Sequence, residues 1–267
     1  MSSEEEIKQN YSDHLKAIHY HKEITDFFHT HKEVFQEAWD LIYDVVSSDK
    51  YKGSKLLDIG SGATVHNIAG ASIFCPNIVL SDYVEDNCTE LRKWLKKESF
   101  LDWSEQLNEA IAVGKRKGIL DFNGVDIEAQ IRKSVKSVVQ CDVLRDDIVP
   151  LEELTSVETK PPYDVILSCL CLQAAAPDYD AYIATLKRIN KMLRPGGGLI
   201  VCDFANADEY WTAGNKKFHY LNLSLDEVSE AFRRAGFRVV KVQKFTPDEQ
   251  KHYFKFGTSF CCFAEKL

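Results

Sequence analysis

Lys55-Leu56-Leu57-Asp58-Ile59-Gly60-Ser61-Gly62 joins a short, nearly all-apolar strand to a turn that carries two glycines. A strand apolar at consecutive positions is buried on both faces, as in a parallel sheet. The glycines let the chain turn tightly and let a ligand approach the main chain. The sixth position of a G-x-G-x-x-G fingerprint is Val65, which disfavours a pyrophosphate clamp. Twenty residues after Gly62, Asp82 closes a second strand, Asn77 to Ser81, where a carboxylate accepts hydrogen bonds from the two hydroxyls of a ribose. Cys141-Asp142-Val143 ends a third strand, Ser137 to Val143, with a carboxylate for an exocyclic amine and a backbone N–H for a ring nitrogen. These pieces outline an adenosine pocket without a phosphate clamp.

Outward from this unit, strands and helices alternate. Residues 5 to 48 lack Pro and Gly and show helical spacing. Helices are expected at Thr64 to Phe74, Glu85 to Lys97 and Asp178 to Leu193, the last stopped by Arg194-Pro195-Gly196-Gly197-Gly198. Further strands fall at Tyr163 to Leu170, Leu199 to Asp203, Phe237 to Lys244 and Gly257 to Glu265. Ser224 with Glu227 three residues on reads as a capping box, after an aromatic loop from Phe204 to Tyr220. The expectation is an α/β chain with a Rossmann-like, seven-stranded, mostly parallel sheet and helices on both faces. It forms a single domain over 1–267, with an N-terminal helical segment at 1–50 and a helical insertion at 100–136.

Composition narrows the partners. Thirty-three basic and 41 acidic residues give a net charge of -8, which argues against a nucleic-acid footprint and leaves Lys115-Arg116-Lys117 as a solvated helix face. The uncharged, strand-like run Val165 to Pro177 has 13 residues against the ~20 that a bilayer span needs. Met1 to Glu6 is acidic where a signal peptide is basic, so a cytoplasmic location and no membrane are expected. Eight cysteines without any C-x-x-C read as reduced thiols. His14, His19, His21, His29 and His31 contain no i,i+4 pair, so no metal is expected and they are read as facing solvent.

The glycine turn at 194–198 resembles the corresponding element of class I, S-adenosylmethionine-dependent methyltransferases. A closer resemblance is to the nicotinamide, phenylethanolamine and indolethylamine N-methyltransferase family. It is carried by Leu56 to Val65, Ser81-Asp82-Tyr83 with Asn87, Leu95-Lys96-Lys97-Glu98, Asp102-Trp103-Ser104, Cys141-Asp142-Val143, Leu167 to Leu172 and Ala175-Ala176-Pro177-Asp178. It covers nearly the whole chain. The resemblance implies S-adenosyl-L-methionine as cofactor and S-adenosyl-L-homocysteine as product. Gly60 and Ser61 would serve the methionine part, Asp82 the ribose with Asn87 on the same wall, and Asp142 and Val143 the adenine, with Gly62, Thr64 and Tyr83 as further cofactor positions and Cys169 lining the pocket. Tyr11 and Tyr20 would reach in from N-terminal helices that act as a lid. Two further cofactor positions depart from the family's tyrosines, at Thr25 and His66, and the chain also departs at Ile18-His19 and Ala63, where the family has Pro-Arg and proline.

For the acceptor, the resemblance implies Tyr20, Gln173, Asp203, Asp208, Trp211 and Tyr220. Trp211 would stack on a ring, and Asp208 would orient an amine or take its proton as the catalytic residue. The implied reaction is methyl transfer to the nitrogen of a small aromatic or heteroaromatic amine, nicotinamide-like, arylalkylamine or indolethylamine-like, by a monomer. A small-molecule O-methyltransferase and a cofactor-binding protein without turnover stay open as alternatives. An NAD-dependent oxidoreductase is disfavoured by Val65.

Overall fold

A computed structural model describes residues 3–119, 126–207, 210–212, 216–246 and 257–267. Three helices open the chain: α1 (Glu4–His14), α2 (Ala17–Thr30) and α3 (Lys32–Val46). Then follow β1 (Lys55–Ile59), α4 (Ala69–Phe74), β2 (Asn77–Asp82), α5 (Glu85–Leu95), α6 (Ser104–Arg116), α7 (Ile127–Ser134) and β3 (Val135–Gln140). The second half runs β4 (Tyr163–Cys169), α8 (Leu172–Ala175), α9 (Tyr179–Met192), β5 (Leu193–Ala205), β6 (Tyr210–Thr212), β7 (Lys216–Phe218), α10 (Leu225–Arg234), β8 (Phe237–Phe245) and β9 (Thr258–Lys266).

The seven-stranded sheet has the order β3-β2-β1-β4-β5-β9-β8. The first five strands in that order are parallel, and β9 pairs antiparallel with both β5 and β8. Period-2 alternation divides the core between its two faces. Leu56, Ile78, Leu80, Val165, Leu167, Ile200 and Phe263 pack with residues of α3, α4, α6 and α7. Leu57, Val79, Ile166, Leu199, Val201 and Ala264 pack with residues of α9 and α10 on the other side. The strand order reverses between β1 and β4, and a crevice opens outside the carboxyl ends of the strands at such a switch point.

The expected seven strands and two helical layers are present, with local differences. The helix expected from Thr64 begins at Ala69, because Thr64 Oγ1 donates back to the Ser61 carbonyl and the segment before it stays a turn. β3 stops at Gln140, since Asp142 closes its own turn by accepting from the Leu144 N–H. β5 begins at Leu193, six residues early, and carries the glycine turn inside it, with Gly196 at φ +67. The aromatic loop contains the hairpin β6–β7, paired Tyr210 to Phe218 and Thr212 to Lys216. His31 is the exception among the N-terminal histidines: it is buried and stacks 4.9 Å from Phe27. No helix among the described residues is long and apolar enough to cross a membrane.

Candidate active site

Two adjoining cavities lie at the carboxyl ends of β1, β2, β4 and β5. The first is lined by Gly60 and Gly62 from the turn after β1, by Asp82 and Tyr83 after β2, and by Asp142, Val143 and Leu144 after β3. Ile7, Lys8, Tyr11 and Tyr20 from α1 and α2 close it from the other side. Both glycines are in the left-handed region, φ +72 and +60. A Cβ on Gly60 would collide with the Cys171 thiol, and one on Gly62 with the Tyr20 ring. Only glycine fits this cradle.

Asp82 is held from three sides. Its Oδ2 accepts from the Gly62 N–H at 2.8 Å, and its Oδ1 accepts from the Val84 N–H and from Asn87 Nδ2, each at 2.9 Å. A carboxylate offers about four acceptor directions, so about one is left for a ribose hydroxyl. Burial raises its pKa against these bonds. Ser61, Thr64 and Asn87 sit behind the cavity as braces: Ser61 Oγ accepts from the Ser81 N–H, and Asn87 fixes Asp82. Asp142 turns Oδ1 to the Leu144 N–H and receives Lys8 Nζ on Oδ2 at 2.6 Å.

The second cavity shares Tyr20 and Leu170 with the first and runs beneath α2 and α3. Its wall is Ile24, Phe27, Val34, Phe35, Phe204 and Phe260, with Cys169, Cys202 and Cys261 from three neighbouring strands. Its carboxylate is Asp203. Asp203 Oδ1 accepts from the Tyr220 hydroxyl and from the Phe204 N–H, while Oδ2 has no well-formed hydrogen bond, although the Gln173 N–H reaches toward the carboxylate. Burial pushes the Asp203 carboxyl up to about 7 against these bonds. His66 also lines this cavity, its ring 5.2 Å from Trp103 and 5.6 Å from Phe35, and burial, with His21 nearby, pulls it down to about 3. It is therefore a neutral imidazole at working pH, with Nδ1 unpartnered.

Of the residues expected at the cofactor, Tyr11, Tyr20, Gly60, Gly62, Asp82, Tyr83, Asp142 and Val143 meet around the first cavity. Cys169 and His66 fall in the second. Thr25 lines neither and accepts from Gln106 Nε2 at 3.3 Å. Of the acceptor set, Asp203 and Tyr20 line the second cavity, and Tyr220 braces Asp203. Gln173 lines neither. It is fully buried and donates to the carbonyls of Phe204 and Leu221, so it is a strut. Asp208 and the Trp211 side chain lie outside the described residues. Sequence reading missed Lys8, Leu144, Leu170 and Cys171. Lys8 lies 134 positions from Asp142, so no local spacing signals their contact. Leu170 takes φ +55, a left-handed residue at the junction of the cavities that only the structure discloses.

Fold and cradle define a class I methyltransferase site. Residues 4–267 match the NNMT/PNMT/TEMT family, and the chain belongs to it. It is 32% identical over 239 residues to nicotinamide N-methyltransferase of Homo sapiens, covering 87% of this chain and 85% of that one. It is 32% identical over 212 residues to indolethylamine N-methyltransferase of Mus musculus, covering 79% and 76%. The fold matches magnesium protoporphyrin IX methyltransferase from Synechocystis PCC 6803, solved with bound SAM, at a TM-score of 0.57 and 10% identity over 100% of this chain and 98% of that one. The chain is thus an S-adenosylmethionine-dependent enzyme of an N-methyltransferase family. The first cavity fits that cofactor: glycines leave room for its chain, and carboxylates stand at two strand ends.

Proposed function

We propose that the first cavity holds S-adenosylmethionine and that the second holds a small aromatic or heteroaromatic amine whose nitrogen receives the methyl group. The observation that carries this reading is the junction of the two cavities at Tyr20 and Leu170, with a buried carboxylate, Asp203, in an otherwise phenylalanine-rich pocket. Asp82, braced by Asn87, would hold the ribose, Asp142 and Val143 the adenine, and Gly60 and Gly62 the methionine part. The bound cofactor supplies a methyl carbon already activated by a sulfonium.

The protein's share is placement and exclusion of water. Phe27, Phe35, Phe204 and Phe260 favour a flat apolar ring, and Tyr20 favours a cation at the junction. Asp203 holds the amine end: ionised, it orients an ammonium, and through water it takes the proton of an alkylammonium, which frees the nitrogen lone pair for transfer. A pyridine-like nitrogen needs no such base. Tyr220 fixes the Asp203 rotamer by donating its hydroxyl to Oδ1. Asp208 and Trp211 belong to the same proposal as further contacts to the acceptor. A cytoplasmic, monomeric enzyme is part of this reading, supported by eight cysteines that are all free thiols.

The test is methyl transfer from labelled cofactor to a panel of pyridines, arylalkylamines, indolethylamines and phenols, with the product's methyl position read by mass spectrometry. Transfer to nitrogen of at least one amine class is expected. Transfer to oxygen alone, or cofactor binding with no transfer to any panel member, contradicts the reading.

A further inference from the structure

The first cavity holds two carboxylates, Asp82 and Asp142, and Lys8 is the basic side chain among the described residues that line it. Lys8 arrives on α1, a helix that is mostly solvent-facing. Only Ile7 of that helix is buried; among its contacts, Asn10 Nδ2 donates to the Lys217 carbonyl at 3.3 Å, and Tyr11 packs 5.0 Å from Phe218. Lys8 Nζ sits 2.6 Å from Asp142 Oδ2 and 2.6 Å from Glu4 Oε1, and lies 5.9 Å from the centre of the Tyr83 ring.

Asp142 has little freedom of its own. Each oxygen already accepts one bond, Oδ1 from the Leu144 N–H and Oδ2 from Lys8, so each keeps about one direction for a ligand. Side-chain exposures of 22% for Lys8 and 18% for Asp142 put the pair at a partly dry boundary, where an ion pair is screened less than at the open surface. Burial pulls the Lys8 ammonium down, and its bonds to Asp142 and Glu4 outweigh that and leave it raised.

We propose that Lys8 is a positioning residue of the cofactor site: its ammonium orients Asp142 for the adenine amine and, through the same carboxylate, ties α1 down over the adenine end. This rests on the reading of Asp142 as the adenine acceptor. The carboxylate oxygen has a second lone pair for the amine while Lys8 stays in place. Docking of the N-terminal helix and binding of the cofactor then share one group, so each stabilises the other by the same factor.

The probe is S-adenosylhomocysteine, titrated calorimetrically into the unmodified protein, Lys8→Met, Lys8→Arg and Asp142→Asn at low and high salt. Hydrogen exchange of residues 4–14 is followed on the same samples. Lys8→Met should weaken binding about five- to tenfold, and Lys8→Arg should recover most of it. Added salt should weaken binding to the unmodified protein more than to Lys8→Met. Exchange in α1 should quicken in Lys8→Met and be slowed less by the probe. In turnover, the cofactor KM should rise while the acceptor KM holds. Unchanged or tighter binding in Lys8→Met, beside clear loss in Asp142→Asn, overturns the role of Lys8 and leaves the adenine reading standing. No loss in Asp142→Asn removes that reading and the proposal with it. Equal damage from Lys8→Arg and Lys8→Met also overturns it, because charge would then not be the cause.

Discussion

Asp203 has its proton within the working range, because burial carries its carboxyl from the ordinary 3.8 to about 7. If the charged form receives the amine, affinity for an alkylamine acceptor rises as pH increases through about 7. Asp203→Asn should abolish that inflection and lower kcat/KM about tenfold or more for alkylamines. Acceptor KM measured from pH 5.5 to 8.5 checks this, and an inflection that survives the change transfers the role to another group, Asp58 being raised to about 7 as well. Gly62 is tested by geometry alone. With φ +60 and the Tyr20 ring where a Cβ would go, Gly62→Ala should cost about 1–2 kcal/mol of stability. It should also weaken S-adenosylhomocysteine binding, by displacing the tyrosine that joins the two cavities, as thermal unfolding and calorimetry would report.

At the level of elements, β1 and β2 were legible because strands buried on both faces are nearly continuous apolar runs, here ending beside a chemically loud residue, Gly60 or Asp82. The start of α10 was legible for a different reason, its reciprocal cap. Ser224 Oγ accepts from the Glu227 N–H, and Glu227 Oε2 accepts from the Ser224 N–H at 2.8 Å. Ser224→Ala should therefore cost about 1 kcal/mol in a guanidinium titration and leave cofactor binding unchanged, since α10 packs on the far face of the sheet. Other features had no local signal. Three-residue strands such as β6 and β7 show no alternation long enough to read, and β5 begins before glycines that ordinarily end an element. The approach of α1 to Asp142 and the placement of His66 in the second cavity depend on contacts between segments far apart in the chain.

For the whole molecule, the buried acids leave a stability signature. Asp58 and Asp203 are raised to about 7 and Asp82 is raised as well, all by burial. Between the unfolded value of 3.8 and about 7, the native state binds more protons than the unfolded state at these groups. Stability must then fall as pH rises through that window and level off above it. His66 acts the other way between about 3 and 6.5, since the unfolded state protonates first. Carboxylates lowered by ion pairs, such as Glu109 and Glu265, add their support as pH rises up to about 4.5. A declining guanidinium midpoint from about pH 5 to 7 is expected, shallower in Asp203→Asn and steeper in His66→Phe.

The central claim is that one ligand-binding cavity continues into another, cofactor on one side and acceptor on the other. A crystal structure with S-adenosylhomocysteine and the best amine from the transfer panel tests it most directly. The account predicts the adenine amine on Asp142, a ribose hydroxyl on Asp82, and the acceptor ring among Phe27, Phe35 and Phe204, with its amine end at Asp203. An acceptor bound elsewhere, with the second cavity still lined only by its own side chains, would contradict it.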